Sequence, residues 1–234
     1  MEKKEPHLLE PYERNKIHKK LMVNILKNLT DTPLVLKGGT ALYLAYGLPR
    51  FSEDLDFDSS KKLNLLSKIK NSAPSELIIN NINLKKDTFT VSRYLISYTI
   101  KNSAHTDSLK LEISYRKPVP DNQITIIEGI RYASIERIID NKLNAAFDGE
   151  NTRTKARDLF DLHFLAKNYS NHFNVFTAER LAQFSDQPHK LIDLYIDDIE
   201  SDALLNKIMD IEVISLELHE MSSKIFEKFL DLKR

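Results

Sequence analysis

Residues 54–58 read Asp-Leu-Asp-Phe-Asp, and this run constrains the fold more than any other segment. Side chains alternate between the two faces of a strand. Asp54, Asp56 and Asp58 therefore share one face, and Leu55 and Phe57 share the other. The apolar face must enter a core. The acidic face repels itself, and aspartate is a poor strand former, so a compensating positive charge is needed. Asp54 and Asp56 form the favoured pair, because they lie nearest the strand entrance. On its own the run would serve equally well as a solvated acidic edge strand or turn.

What precedes the run narrows its meaning. Leu34-Val35-Leu36 predicts a short buried strand entering Gly38-Gly39, two of only five glycines in 234 residues. Thr40–Tyr46 predicts a short helix, broken at Gly47-Leu48-Pro49. The order strand, double glycine, helix, acidic strand suits a triphosphate. Glycine lets backbone N–H groups approach phosphate closely, and a helix N-terminus adds aligned donors. One or two carboxylates suffice to hold the Mg²⁺ that accompanies a triphosphate. Gly38, Gly39, Thr40 and the neighbouring Lys37 are thus candidate nucleotide contacts, and Asp54 and Asp56 candidate metal ligands. The Thr40 hydroxyl has two readings, donation to a phosphate or capping of the helix.

The rest of the chain divides by period. Ile17, Leu21, Ile25, Leu26 and Leu29 predict a helix over about 13–29, and another is expected over about 61–72. Tyr94, Ile96, Tyr98 and Ile100 alternate, as do Leu109, Leu111, Ile113 and Tyr115. The polar loop Asn102–Ser108 between them predicts an antiparallel hairpin. From Ser134 to Arg234 nearly everything reads as helix. An α+β fold is expected, with an α/β domain over 1–130 and an all-helical domain over 131–234.

Three further charges stand out. Glu112 shares a strand face with Lys110, Ser114 and Arg116. It is a candidate third carboxylate, as a metal ligand or as a base for an attacking hydroxyl, although alternating charge also suits a plain exposed face. Lys142 projects from the apolar stripe Ile135, Ile138, Ile139 and Ala146. It needs an anionic partner or a bound phosphate unless it snorkels to solvent. Asp158 falls between Leu162 and Leu165 on the next helix, with Asp161 beside it, and Lys142 is its candidate partner. Arg153, Lys155 and Arg157 gather cations that suit a triphosphate or an RNA backbone, or a solvated helix start.

Composition sets outer bounds. Thirty-four Lys and Arg balance thirty-four Asp and Glu, so any nucleic-acid surface must be a local patch. The absence of cysteine excludes disulfides and thiolate chemistry. The seven histidines show no zinc-site spacing. No apolar run reaches the roughly 18 residues of a membrane span, and the N-terminus lacks a signal-peptide core. A cytoplasmic protein without a membrane partner is expected.

Taken as a set, these motifs resemble the AbiEii/AbiGii toxin family of the polymerase-β-like nucleotidyltransferase superfamily. The likeness rests on Leu36-Lys37-Gly38-Gly39-Thr40-Ala41-Leu42 and Arg50-Phe51-Ser52-Glu53-Asp54-Leu55-Asp56-Phe57. It continues through Leu111-Glu112-Ile113-Ser114 and Asp140-Asn141-Lys142-Leu143, and ends with Arg153 and Arg157-Asp158-Leu159-Phe160-Asp161-Leu162. The resemblance implies a mixed nucleotidyltransferase sheet followed by a helical domain that completes the active-site cleft. It implies a toxin of a toxin–antitoxin or phage-defence (abortive infection) system, with an antitoxin partner. MenT-like relatives modify the 3′ acceptor end of tRNA, so tRNA is the expected acceptor. By resemblance Asp54, Asp56, Lys142 and Asp158 are catalytic, with Asp161 an alternative to Asp158. Arg50, Ser52, Arg153 and Arg157 join the nucleotide contacts, and Asp54, Asp56 and Glu112 hold Mg²⁺ or Mn²⁺. Many superfamily members have Gly-Ser where this chain has Gly38-Gly39, and Thr40 can replace the missing hydroxyl. Two other functions remain open at this stage: transfer to a small-molecule or protein hydroxyl, and a catalytically silent binding module of the same fold.

Overall fold

A computed structural model describes residues 10–103, 105–147, 155–202 and 204–231. Its contacts separate two units, Met1–Ala133 and Ser134–Arg234.

The first unit runs α1 (Pro11–Asn28), β1 (Val35–Lys37), α2 (Gly38–Ala45), β2 (Leu55–Asp58), α3 (Leu66–Lys70), β3 (Leu77–Asp87), β4 (Val91–Ile100), β5 (Thr106–Ser114), β6 (Ile124–Ile127) and β7 (Ile130–Ala133). The strands form one mixed sheet of seven, ordered β3-β4-β5-β2-β1-β7-β6. The β1–β7 and β2–β5 pairs are parallel and the remaining neighbours antiparallel. The acidic run is β2, and it lies in the interior of the sheet. Leu55 and Phe57 are buried, as are Tyr94, Ile96 and Tyr98 from β4 and Leu109, Leu111 and Ile113 from β5. Burial of that face fixes register, because a slip of one residue would drive the aspartates into the core.

The predicted hairpin is β4–β5. Three features differ from the sequence expectation. The second helix is only the short α3. The double glycine belongs to the first turn of α2 instead of preceding it. The long edge strand β3 was not foreseen. Its Asn80, Asn81, Asn83, Lys85 and Lys86 are polar residues that the strand pattern does not favour. They are tolerated because most of β3 is exposed, and two register irregularities against β4 interrupt its edge.

The second unit is helical: α4 (Ile135–Phe147), α5 (Ala156–Asn168), α6 (Val175–Ser185), α7 (Pro188–Ser201) and α8 (Ile211–Asp231). Helix α5 is buried along almost its whole length, and α8 packs on α5, α6 and α7. Asn174 starts α6 with a capping box, accepting from the Thr177 amide while Thr177 accepts from its own. Arg153 lies outside the described residues. Among those described, no helix is long and apolar enough to cross a membrane.

Candidate active site

Sheet register assembles a charged row. Asp56 pairs with Lys37 of β1 on one side and Glu112 of β5 on the other, and Glu112 in turn pairs with Arg93 of β4. Residues opposite one another in a sheet point to the same face, so Lys37, Asp56, Glu112 and Arg93 cross it in a line. Asp54 and Lys110 lie one step along the same face. Arg93 Nε meets Glu112 Oε2 at 2.6 Å, and Lys110 Nζ meets Asp54 Oδ2 at 2.5 Å. Lys37 is committed elsewhere. Its Nζ lies 2.5 Å from Oδ1 of the buried Asp58, the third acid of the run. Asp58 is thereby neutralised, which leaves Asp54 and Asp56 as the pair facing outward. Burial raises the pKa of the Asp56 carboxyl, and Asp54 and Glu112 push it further, against the pull of Lys110 and Lys37. Lys110 is held protonated despite burial, through its hydrogen bond to Asp54 and the field of the three carboxylates.

The segment that delivers Asp54 is held from three directions. His18 of α1 is buried, with Nε2 2.8 Å from the Glu53 carbonyl and Nδ1 2.7 Å from the Tyr98 hydroxyl. A carbonyl only accepts, so Nε2 carries the proton. Phe51 sets its ring edge-to-face against both His18 and Tyr43. The Thr40 hydroxyl donates to the Asp54 carbonyl. That donation uses the only proton of Thr40, so the 2.8 Å contact with Ser52 Oγ is a donation by Ser52. Both hydroxyl protons of the expected phosphate cradle are thus spent in positioning β2. Thr40 sits in the third residue of α2 and is not its cap.

The two glycines have different reasons. Gly38 opens α2 at φ +72°, and a Cβ there would meet nothing within 4 Å, so its backbone conformation requires glycine. At Gly39 the constraint is space, because a Cβ would lie 2.6 Å from Arg50 Nη2 and 3.3 Å from Ser52 Oγ. Arg50 itself is only 6% exposed and donates from Nη1 to the Phe51 carbonyl at 3.2 Å. It packs its guanidinium where the side chain of residue 39 would be.

A second cluster forms within the helical unit. Lys142 Nζ lies 2.6 Å from Asp158 Oδ1 and 2.6 Å from Asp161 Oδ2. All three residues are buried, Asp161 completely. The charge on the apolar stripe of α4 is therefore resolved by two acids of α5. The cations at the start of α5 meet a carboxylate of α7 and one at its C-cap. Lys155 Nζ and the Ala156 amide both donate to Asp198, and Arg157 Nε donates to Asp202 at 2.8 Å.

The outward carboxylates offer hard oxygens of the kind a divalent cation requires, and Asp54 and Asp56 suffice for an ion that completes its shell with phosphates and water. Among the described residues no group of three or more His, Cys, Asp or Glu side chains converges as a metal site. Glu112 stands beside Asp56 in register but is tied to Arg93. The donor set therefore fits a cation held by the aspartate pair.

Sequence reasoning missed Lys110, Arg93, His18 and Tyr98. Lys110 was legible in part, two residues from Glu112 on the same strand face. The His18 contact was not, because its mates come from residues 53 and 98 and a lone histidine carries no spacing signal.

Comparison with known proteins bears on the family and the fold. The model of the family described as "Nucleotidyl transferase AbiEii toxin, Type IV TA system" matches residues 20–231. A crystal structure of a candidate nucleotidyltransferase from H. pylori is 56% identical, with a TM-score of 0.91, and covers 97% of this chain and 100% of that one. The crystal structure of JHP933 from Helicobacter pylori is also 56% identical with a TM-score of 0.91, covering 94% and 95% respectively. No curated protein matches the chain.

Proposed function

The chain belongs to the AbiEii nucleotidyl transferase toxin family, and from that membership we propose that it is the toxin of a toxin–antitoxin pair. It transfers a nucleoside monophosphate from an NTP to an RNA acceptor, the 3′ end of tRNA, and so blocks translation in the cytoplasm. An acceptor hydroxyl attacks the α-phosphorus, a new P–O bond forms, the bond to the β-phosphate bridge breaks, and pyrophosphate leaves. Asp54 and Asp56 would hold Mg²⁺, which would supply charge neutralisation at the phosphoryl oxygens. Backbone N–H groups at the start of α2 bind phosphate, with Lys37, Gly38 and Gly39 lining the approach. Asp56 or Glu112 takes the proton of the attacking hydroxyl.

The observation that carries this reading is the Asp54–Asp56 pair. It faces outward from an interior strand, beside the left-handed Gly38 that opens a helix. The test is incubation of the purified protein with labelled NTPs and total tRNA, beside an Asp56→Ala control. Label in tRNA that the control fails to incorporate is expected. Label only in protein or small molecules would move the acceptor to those classes. No transfer by either protein, with no Mg²⁺-dependent NTP binding, would leave a silent binding module.

A further inference from the structure

The two cations on the sheet face are not equivalent to ordinary surface lysines and arginines. Lys110 and Asp54 are both about two-fifths exposed, their contact is 2.5 Å, and each sits beside Asp56 or Glu112 in register. Without Lys110 and Arg93, three carboxylates would crowd one patch. Lys37, the other cation in the row, is already occupied by Asp58. Lys110 is thus the counterion of the outward aspartate pair. A lysine and a divalent cation cannot both sit on that pair without excess positive charge. Lysine has a long flexible stem, and this one reaches solvent, so it can leave at small cost.

We propose that Lys110 is a charge placeholder that changes partners. It neutralises Asp54 in the empty site, leaves that carboxylate when a divalent cation is bound there, and then binds a phosphate oxygen of the incoming triphosphate. The assignment rests on the functional reading above, since it requires metal and NTP at the aspartate pair. It is an exchange of ion pairs only, with no bond made or broken. Arg93 behaves differently. Its planar fork is held by Glu112, and it remains a fixed partner that keeps Glu112 from becoming a ligand.

The exchange predicts opposite effects on two ligands of the same site, which a purely structural salt bridge would not give. Loss of Lys110 removes a competitor for the metal and a contact for the nucleotide. Mn²⁺ alone, titrated into the full chain and read by electron paramagnetic resonance, should bind Lys110→Met about two- to fivefold more tightly than wild type, the range expected for release of a part-exposed ion pair. A non-hydrolysable NTP analogue with saturating Mn²⁺ should bind the same variant roughly tenfold more weakly or worse. Lys110→Arg should restore most of the nucleotide affinity. Arg93→Met should leave nucleotide affinity within about twofold of wild type, since Arg93 is held by Glu112 and gives the nucleotide no contact, and circular dichroism should show all three variants folded. Wild type that binds Mn²⁺ with no gain in Lys110→Met overturns the exchange and leaves the proposed function standing. Parallel weakening of both ligands overturns it too. Absence of Mn²⁺ binding in every protein overturns the exchange and the metal-dependent reading together.

Discussion

Replacing Lys142 by methionine tests whether the buried cluster of the helical unit is a matched set of charges. The substitution keeps the aliphatic volume on the apolar stripe of α4 and removes only the ammonium. Two contacts of 2.6 Å disappear, and Asp158 and the fully buried Asp161 lose their shared cation. Each charge-assisted hydrogen bond contributes about 1.5–3 kcal/mol. Orphaning one side of a buried pair costs about 3–5 kcal/mol in proteins generally, and two lost bonds fall in the same range. At about 2–4 °C per kcal/mol for a chain of this size, Tm should fall by roughly 6–20 °C. Thermal denaturation followed by circular dichroism, without nucleotide, is the assay. The triple variant Lys142→Met with Asp158→Asn and Asp161→Asn removes the orphaned charges and should recover much of the loss. A Lys142→Met protein within about 1 kcal/mol of wild type would refute the argument, because the two acids would then tolerate burial without their cation.

Other expectations follow from the same geometry. Asp161→Asn should destabilise the fold more than Asp158→Asn in the same denaturation assay, since Asp161 has no solvent access. His18→Ala removes the donor to the Glu53 carbonyl and should cost on the order of 1–2 kcal/mol of stability, with a loss of transfer activity larger than the fraction unfolded explains. His18→Gln should rescue part of that activity. Gly39→Ala sets a Cβ 2.6 Å from Arg50 Nη2 and should displace the Arg50 side chain, lowering Tm and NTP affinity together. Asp56→Asn should stabilise the metal-free protein at neutral pH. Burial raises the Asp56 pKa, so its neutral form is the one that favours folding. That contribution is full below the ordinary aspartate range and is lost as pH rises through the raised value. The Tm gain of the variant should therefore shrink as pH is lowered towards that range.

The parts of the molecule that were legible in sequence are those where local pattern and burial impose the same demand. Asp54 to Asp58 alternates, and a strand that buries Leu55 and Phe57 satisfies that pattern. Lys142 interrupts an apolar stripe, where an anionic partner, a bound phosphate or a path to solvent would each serve, and Asp158 and Asp161 supply the partner. The illegible parts depend on pairings that no local pattern encodes. Strand β3 is polar because it is an edge, and its sequence looks like a loop until β4 is placed beside it. Lys110 meets Asp54 only because β2 and β5 run parallel across a gap of more than fifty residues. Thr40 and Ser52 read in sequence as phosphate contacts, yet their hydroxyls bond to each other and to the segment that carries Asp54. Chemistry at a motif and the packing that positions the motif select the same residue types, and sequence alone does not separate them.

In the proposed reaction the Asp54–Asp56 face directs attack at the α-phosphorus of a nucleotide. Parallel reactions with α-labelled and γ-labelled NTP, Mg²⁺ and total tRNA test it most directly. The α label is expected to enter RNA, the γ label to leave in pyrophosphate, and Asp56→Ala to abolish incorporation. Entry of the γ label into any acceptor, or equal incorporation of the α label by Asp56→Ala, would contradict it.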